Sequence, residues 1–339
     1  MIQKNITTLT HIDIVLSVFN QENLIERVLY GIFKNTSTPF ILIIVFDGCK
    51  DKTEERARKY IRHYSPSVMK KFIATHAPNV FETRANNIGF KIATSDFMIT
   101  LQDDMVINEF GWERRLTYPL RKFNDVFAVT SRSAHDIDKI DENYQYYINK
   151  AARECDSLSR NIFAVRDIIN RGPIAFNMKY LRTLNFLNEA YAPSDLDDAD
   201  ISLRAWRQHK LRVGAYWINY ISPAHWGKAR SNDSTMLLGN HISRNGIRLF
   251  NDHRDYIISG VKHSENILIP EDEVDYANKK IYHILYLLFK PIRIHKKGIE
   301  RTWMNTRIRL REITLKALSI LGVKNAHERG LKKILIFKR

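Results

Sequence analysis

Hydrophobic and polar positions change rhythm several times along this chain. Ile12-Asp13-Ile14-Val15-Leu16-Ser17-Val18-Phe19 and Phe40-Ile41-Leu42-Ile43-Ile44-Val45-Phe46 are short, nearly unbroken apolar runs rich in β-branched residues. That is the pattern of strands buried on both faces. Lys71 to Ala74 and Phe97 to Leu101 read as two further strands. Between the strands the period lengthens. Asn23 to Lys34 brings Leu24, Val28, Leu29 and Ile32 near helical spacing, Glu54 to Tyr64 is a charged surface helix, and Asn86 to Thr94 is a third helix. Such alternation predicts an α/β fold, a mostly parallel sheet flanked by helices. Ligands of these sheets bind outside the carboxyl ends of the strands. Asp47 follows the second strand and Asp103-Asp104 the fourth, so the acids fall where ligands bind.

From Trp112 to Tyr220 helical and irregular segments mix. They include the turn Arg171-Gly172-Pro173 and an acidic cluster, Asp195 to Asp200, which leads into a helix over Ile201 to Gln208. Ser222 to Gly227 breaks into a loop, and helical spacing returns over Asn278 to Phe289 and Ile299 to Leu321. The pattern sets a main domain over residues 1–230 and a basic, mainly helical C-terminal region over 231–339.

Charge sharpens that division. The 339-residue chain carries a formal +16, and from Lys279 to Arg339 there are 17 Lys or Arg against three acids. Nearly all the excess therefore belongs to the C-terminal region, where it calls for an anionic partner. Ile299, Trp303, Leu310, Ile313, Ala317 and Leu321 share one helical face, with Arg307, Arg309, Arg311 and Lys316 around it. Either this helix packs on the main domain or it lies on an anionic membrane. Nucleic acid is not the expected partner, because no recognised module accompanies the charge. Two cysteines, Cys49 and Cys155, exclude a disulfide scaffold and a Cys-rich metal site. No leader-like segment opens the chain, and the longest apolar stretch, Ile281 to Phe289, is far shorter than the ~20 residues of a membrane span. The expected setting is cytoplasmic, with at most peripheral contact on the inner face of a membrane.

Three groups of residues carry candidate chemistry. Asp103-Asp104 is either a solvated turn or a carboxylate pair that holds a divalent cation against concentrated negative charge. Asp197-Asp198-Ala199-Asp200 opens a helix, where acids complement the dipole. Crowding would also raise the proton affinity of one of them, which suits a general base. His225, beside Trp226 and Gly227, is either a structural hydrogen-bonder or a metal ligand.

Taken in order along the chain, these pieces resemble the family 2 glycosyltransferases, which have the Rossmann-like GT-A fold. The resemblance runs from about Ile12 to Gly227. Ser17-Val18-Phe19-Asn20 stands for the family's opening strand end, with Phe19 in place of Tyr. Asp47-Gly48-Cys49-Lys50-Asp51-Lys52-Thr53 matches Asp-Gly-Ser-x-Asp-x-Thr, with Cys49 for Ser. Ala85-Asn86-Asn87-Ile88-Gly89 matches Ala-Arg-Asn-x-Gly, with Asn86 for Arg. Gln102-Asp103-Asp104 matches the metal-binding acids, with Gln102 for the first. Asp197-Asp198-Ala199-Asp200-Ile201-Ser202-Leu203-Arg204 matches the acceptor-side Glu-Asp-x-Asp-Leu-x-x-Arg.

The resemblance implies an inverting transfer of a sugar from a nucleotide-sugar donor, a UDP-sugar, to a hydroxyl of a glycan or glycolipid acceptor in surface polysaccharide or glycolipid synthesis. It assigns nucleotide-sugar contacts to Ser17, Phe19, Asp47, Asp51, Asn87 and Asp103, with the nucleotide part within about residues 1–110. The acceptor part, about 111–230, carries the base Asp198 with Asp197 and Asp200 beside it. Asp104 and His225 would hold Mg2+ or Mn2+. Two other readings stand beside it. A sugar-phosphate nucleotidyltransferase would open with a Gly-rich phosphate loop, and Ser17 to Leu24 contains no glycine. A degenerate nucleotide- or glycan-binding protein is the reading that Gln102 and Asn86 favour.

Overall fold

The computed structural model of the protein describes residues 6–140, 146–148, 158–222, 238–259 and 263–270. His225 and the basic C-terminal helices expected over 278–289 and 299–321 lie outside the described residues. The first hundred residues build β1 (Ile12–Val18), α1 (Ile25–Asn35), β2 (Phe40–Asp47), α2 (Thr53–Tyr64), β3 (Met69–Ala77), α3 (Phe81–Ile92) and β4 (Phe97–Gln102). Shorter elements follow: β5 (Val106–Ile107), α4 (Trp112–Leu116), α5 (Tyr118–Lys122), β6 (Val126–Thr130), β7 (Ala134–His135), β8 (Ile137–Ile140), β9 (Tyr146–Ile148) and β10 (Ile162–Arg166). Then come β11 (Ile168–Ile169), β12 (Ile174–Asn177), α6 (Met178–Thr183), α7 (Asp197–His209), β13 (Arg212–Ala215), β14 (Tyr220–Ile221), α8 (Leu238–Ser259) and β15 (Glu265–Leu268).

Nine strands form one sheet in the order β15-β10-β13-β6-β12-β4-β1-β2-β3. β3, β2, β1 and β4 run parallel, as the strand–helix alternation requires. Past β4 the sheet is mixed: β12 is antiparallel to β4 and β6, β13 is parallel to β6, and β10 is antiparallel to β13 and β15. The parallel half needs crossover helices, whereas antiparallel neighbours can be reached through short connections. The outer edge comes from residues 265–268, so chain beyond residue 230 contributes to the same sheet.

Both faces of the parallel half are covered. Ile14, Leu16, Leu42, Ile44 and Phe46 pack with Ile25, Val28, Leu29 and Ile32 of α1 in the main core. Alternate residues face the other way, and Val45 packs with Ala85 and Ile88 of α3. The approach of α3 is close because Gly89 has no side chain. A Cβ there would collide with Val15 Cγ1 and stand 3.2 Å from Val45 Cγ2.

α3 begins at Phe81, earlier than the helix start read at Asn86. The cause lies in another strand. The Asp47 carboxylate, at the end of β2, accepts the backbone N–H groups of Val80 at 2.6 Å and Phe81 at 2.9 Å. It thereby satisfies donors that a helix start leaves open. Phe81 itself takes a left-handed φ of 66°.

The chain leaves β1 toward β2 on one side and returns as β4 on the other, so the strand order reverses between β1 and β4. A crevice opens at such a point, outside the carboxyl ends. Replacing Gly89 with Ala is expected to lower stability by about 1–3 kcal/mol through overpacking against Val15. Urea unfolding followed by circular dichroism checks this, and an unchanged midpoint would contradict the close approach.

Candidate active site at the strand-end rim

At the carboxyl ends of β1 and β4 the expected residues form a linked set. Asp103 accepts the backbone N–H of Phe19 at 2.9 Å and the Gln21 side-chain amide at 3.3 Å. The Gln21 N–H donates to Thr53 Oγ1 at 2.7 Å, and the Thr53 hydroxyl donates to Asp51 at 2.5 Å. Asp51 also accepts the N–H of Glu22 at 3.1 Å. These bonds tie the loop after β1 to the start of α2 and the end of β4. Behind them, Ser17 donates to Asn86 at 2.8 Å, so the Asn that stands for the family's Arg supports the β1 end. Burial pushes the Asp103 pKa up to about 7, with the neighbouring Asp104 adding to the rise and the Phe19 N–H opposing it.

The acids at the start of α7 are organised by Arg171. Its guanidinium bridges Glu82, at 2.5 Å, and Asp197. Asp197 is fully buried and also accepts from the Thr83 hydroxyl at 2.7 Å. One arginine therefore joins the first turn of α3 to the first turn of α7. Both helices start from left-handed backbone, with Phe81 opening one and Asp195-Leu196 just before the other. Strained positions of this kind persist where the surroundings over-determine them, commonly at functional sites.

Asp198 sits on top of this clamp and is half-buried. It accepts the Arg171 backbone N–H at 2.6 Å and the Ala199 N–H at 2.9 Å. Its pKa is raised to about 6, first by burial and then by Asp197, while Arg171 works against the rise. Asp104 faces the same cluster. Burial and then Glu82 raise its pKa, and Arg132 opposes them.

Other expected residues are committed elsewhere. Asp47 is fully buried under its two N–H donors. The Asn87 amide is tied to the 187–189 loop, donating to Leu187 O at 2.9 Å and accepting the Leu187 N–H at 3.0 Å. Asp200 is buried between Arg204 at 2.7 Å and His253 at 2.9 Å. Of the three acids on α7, Asp198 alone is half-exposed. Glu82 and Arg171 had not stood out in the sequence. Arg171 read only as part of a turn, and Glu82 precedes the stretch read as helix. Gln102 is engaged as well, donating to Glu82 at 2.9 Å and accepting from Arg132 at 3.3 Å.

A divalent cation can be tested against this donor set. Asp104 Oδ1 is buried and has no hydrogen-bond partner among the described residues, a state that a hard cation would relieve. No three His, Cys, Asp or Glu side chains gather into a metal-binding group among the described residues. A cation sharing its shell with a diphosphate needs only one or two protein carboxylates, so Asp104 fits as one ligand. The described chain reaches Ser222, whose hydroxyl helps offset the rise in the Asp104 pKa. His225 follows outside the described residues.

A parallel β3-β2-β1-β4 sheet with acids along its carboxyl rim is the architecture of the GT-A glycosyltransferases. The model for glycosyl transferase family 2 matches residues 13–182, and the chain belongs to that family. This membership sets the nucleotidyltransferase reading aside. GalNAc-T7 with UDP, GalNAc and Mn2+ is a structural neighbour with TM-score 0.53 and 13% identity, covering 73% of this chain and 50% of that one. The chain thus spans about half that neighbour's length. Glucosyl-3-phosphoglycerate synthase from Mycobacterium tuberculosis, with Mn2+, UDP and phosphoglyceric acid, aligns with TM-score 0.46 and 15% identity, over 71% of this chain and 77% of that one. No curated protein matches. Among the described residues no helix is long and apolar enough to cross a membrane.

Replacing Arg171 with Met strands Asp197 as a buried, unpaired charge and is expected to cost about 3–5 kcal/mol. Adding Asp197→Asn should recover part of that loss in urea unfolding. A double variant no more stable than the single would show that the guanidinium is not the counter-ion.

Proposed function

We propose that this family 2 member is an inverting glycosyltransferase that moves a sugar from a UDP-sugar to an acceptor hydroxyl, with Asp198 as the general base. The observation that carries the reading is the half-buried Asp198 carboxylate, held by the Arg171 and Ala199 N–H groups on the same rim as the unpartnered Asp104 oxygen, with burial raising its pKa. A base with its pKa near the working pH is ionised and still accepts a proton readily. The Arg171 and Ala199 N–H groups orient the carboxylate, and Asp197 keeps Arg171 in place. The acceptor proton would pass to Asp198 as the acceptor oxygen attacks the anomeric carbon from the face opposite the diphosphate. One displacement inverts the configuration, with no covalent sugar–enzyme intermediate of the kind retaining hydrolases form.

The nucleotide would lie over the ends of β1, β2 and β4, within reach of Ser17, Phe19, Asp51 and Asp103. The UDP and Mn2+ bound by GalNAc-T7, which shares the fold, support UDP as the nucleotide and a divalent cation beside it. Asp104 would hold Mg2+ or Mn2+, together with His225 by the resemblance. A cation bound there supplies charge compensation for the departing diphosphate. For the acceptor we propose a cell-surface glycan or glycolipid, a reading supported by the 17 Lys or Arg against three acids from Lys279 to Arg339. Basic residues near an anionic bilayer contribute roughly 1 kcal/mol each.

Asp198→Asn is expected to reduce kcat by about 100-fold or more while UDP affinity, measured by calorimetry, changes less than about twofold. Equal loss of turnover and binding would remove Asp198 from the base role. Because the raised pKa leaves Asp198 protonated in acid, kcat/KM should rise through about pH 6 and level off above it. A profile flat down to pH 5 would contradict this. The full chain should co-sediment with vesicles containing phosphatidylglycerol in low salt and be released by high salt. Sedimentation no different from that with neutral vesicles would remove the membrane contact.

A further inference from the structure

Arg132, just after β6, is exposed, yet it is held at several points. Its backbone N–H donates to Thr130 Oγ1 at 3.1 Å. Its stem lies against the 171–172 backbone, in space that only a glycine leaves open. A Cβ on Gly172 would stand 2.6 Å from the Arg132 Cβ and 3.4 Å from its Cδ. At the tip, Nη1 donates to Gln102 Oε1 at 3.3 Å and to the Arg171 carbonyl at 3.1 Å. Both partners are neutral acceptors. Among the described residues, no carboxylate pairs with this guanidinium at salt-bridge distance, so it is positioned without being neutralised.

Gln102 is what makes that possible. Its amide donates to Glu82 at 2.9 Å while its carbonyl oxygen accepts from Arg132. An acid at this position would repel Glu82 and form an ion pair with Arg132, cancelling its charge. The neutral amide satisfies both neighbours and leaves a fixed positive charge at the rim, close enough to Asp104 to oppose the rise in its pKa. A guanidinium matches phosphate oxygens through paired N–H donors.

We propose that Arg132 binds the diphosphate of the donor and supplies cationic charge on the side where the family's first metal-binding acid is replaced by Gln102. The inference rests on the nucleotide-sugar reading above. It requires that part of the diphosphate affinity survives removal of divalent cations, because this charge is covalently attached to the chain.

The test is calorimetric titration of the full chain and its Arg132→Ala and Arg132→Lys variants with UDP and with uridine, in EDTA and in Mn2+. In EDTA the wild-type chain should bind UDP more tightly than uridine. Arg132→Ala should lose about tenfold in UDP affinity, the scale of one charge-assisted hydrogen bond, with uridine affinity changed less than about twofold. Arg132→Lys should recover part of the loss, since it restores the charge without the fork. Thermal melts of the variants matching wild type would establish that the fold is intact. UDP binding unchanged by Arg132→Ala overturns the role while leaving the nucleotide-sugar reading standing, and would fit a guanidinium that instead takes an anionic acceptor. Equal loss for UDP and uridine overturns it too, by marking general damage to the pocket. A wild-type chain that binds none of UDP, GDP, CDP or dTDP contradicts the nucleotide-sugar reading itself, and the role of Arg132 falls with it.

Discussion

The guanidinium of Arg171 lies between Glu82 and the fully buried Asp197, and the rim is built around it. Taking two acids and one base out of water is unfavourable unless every charge finds a partner. Here the partners come from three distant parts of the chain: the first turn of α3, the turn before β12 and the first turn of α7. Their pairing fixes where those elements meet. The Arg171 backbone N–H then becomes a donor to Asp198, so the same residue sets both the frame and the orientation of the proposed base.

A second consequence concerns charge. Asp103, Asp104, Glu82, Asp197 and Asp198 gather near the strand ends, and such a concentration of negative charge would repel a nucleotide diphosphate. Arg171 offsets part of it from within, and Gln102 reduces it by standing where the family pattern has an acid. Arg132 adds a fixed positive group at the surface. What remains is a raised proton affinity at Asp103, Asp104 and Asp198, in each case caused first by burial. These are the carboxylates for which a cation, a hydroxyl proton or a hydrogen-bond donor offers the largest relief.

The parallel half of the sheet was legible in the sequence because strands buried on both faces cannot avoid continuous apolar runs, as in Phe40 to Phe46. Asp103-Asp104 and Asp197 to Asp200 stood out in the sequence only as candidates, because a solvated turn and the helix dipole also account for acids in those places; it was their order along the chain that carried the resemblance. The start of α3 was not, since its donors are satisfied by Asp47, which local propensity cannot register. Nor was the division of labour on α7: Asp197, Asp198 and Asp200 are alike in sequence, and only packing separates the buried ion-pair partners from the half-exposed Asp198, the proposed base. Arg171 looked like a turn residue because its partners are remote. Gln102 looked like a lost acid until its two hydrogen bonds gave it a task of its own.

The proposed function requires that this rim separate a sugar from a nucleoside diphosphate in a single displacement. The direct measurement is proton and phosphorus NMR of the full chain with Mn2+ and α-linked UDP-sugars, reading the released nucleotide and the anomeric proton of the new product before it mutarotates. UDP should appear together with a β-configured sugar product. UDP released with an α-configured product, or no UDP from any donor, would contradict it.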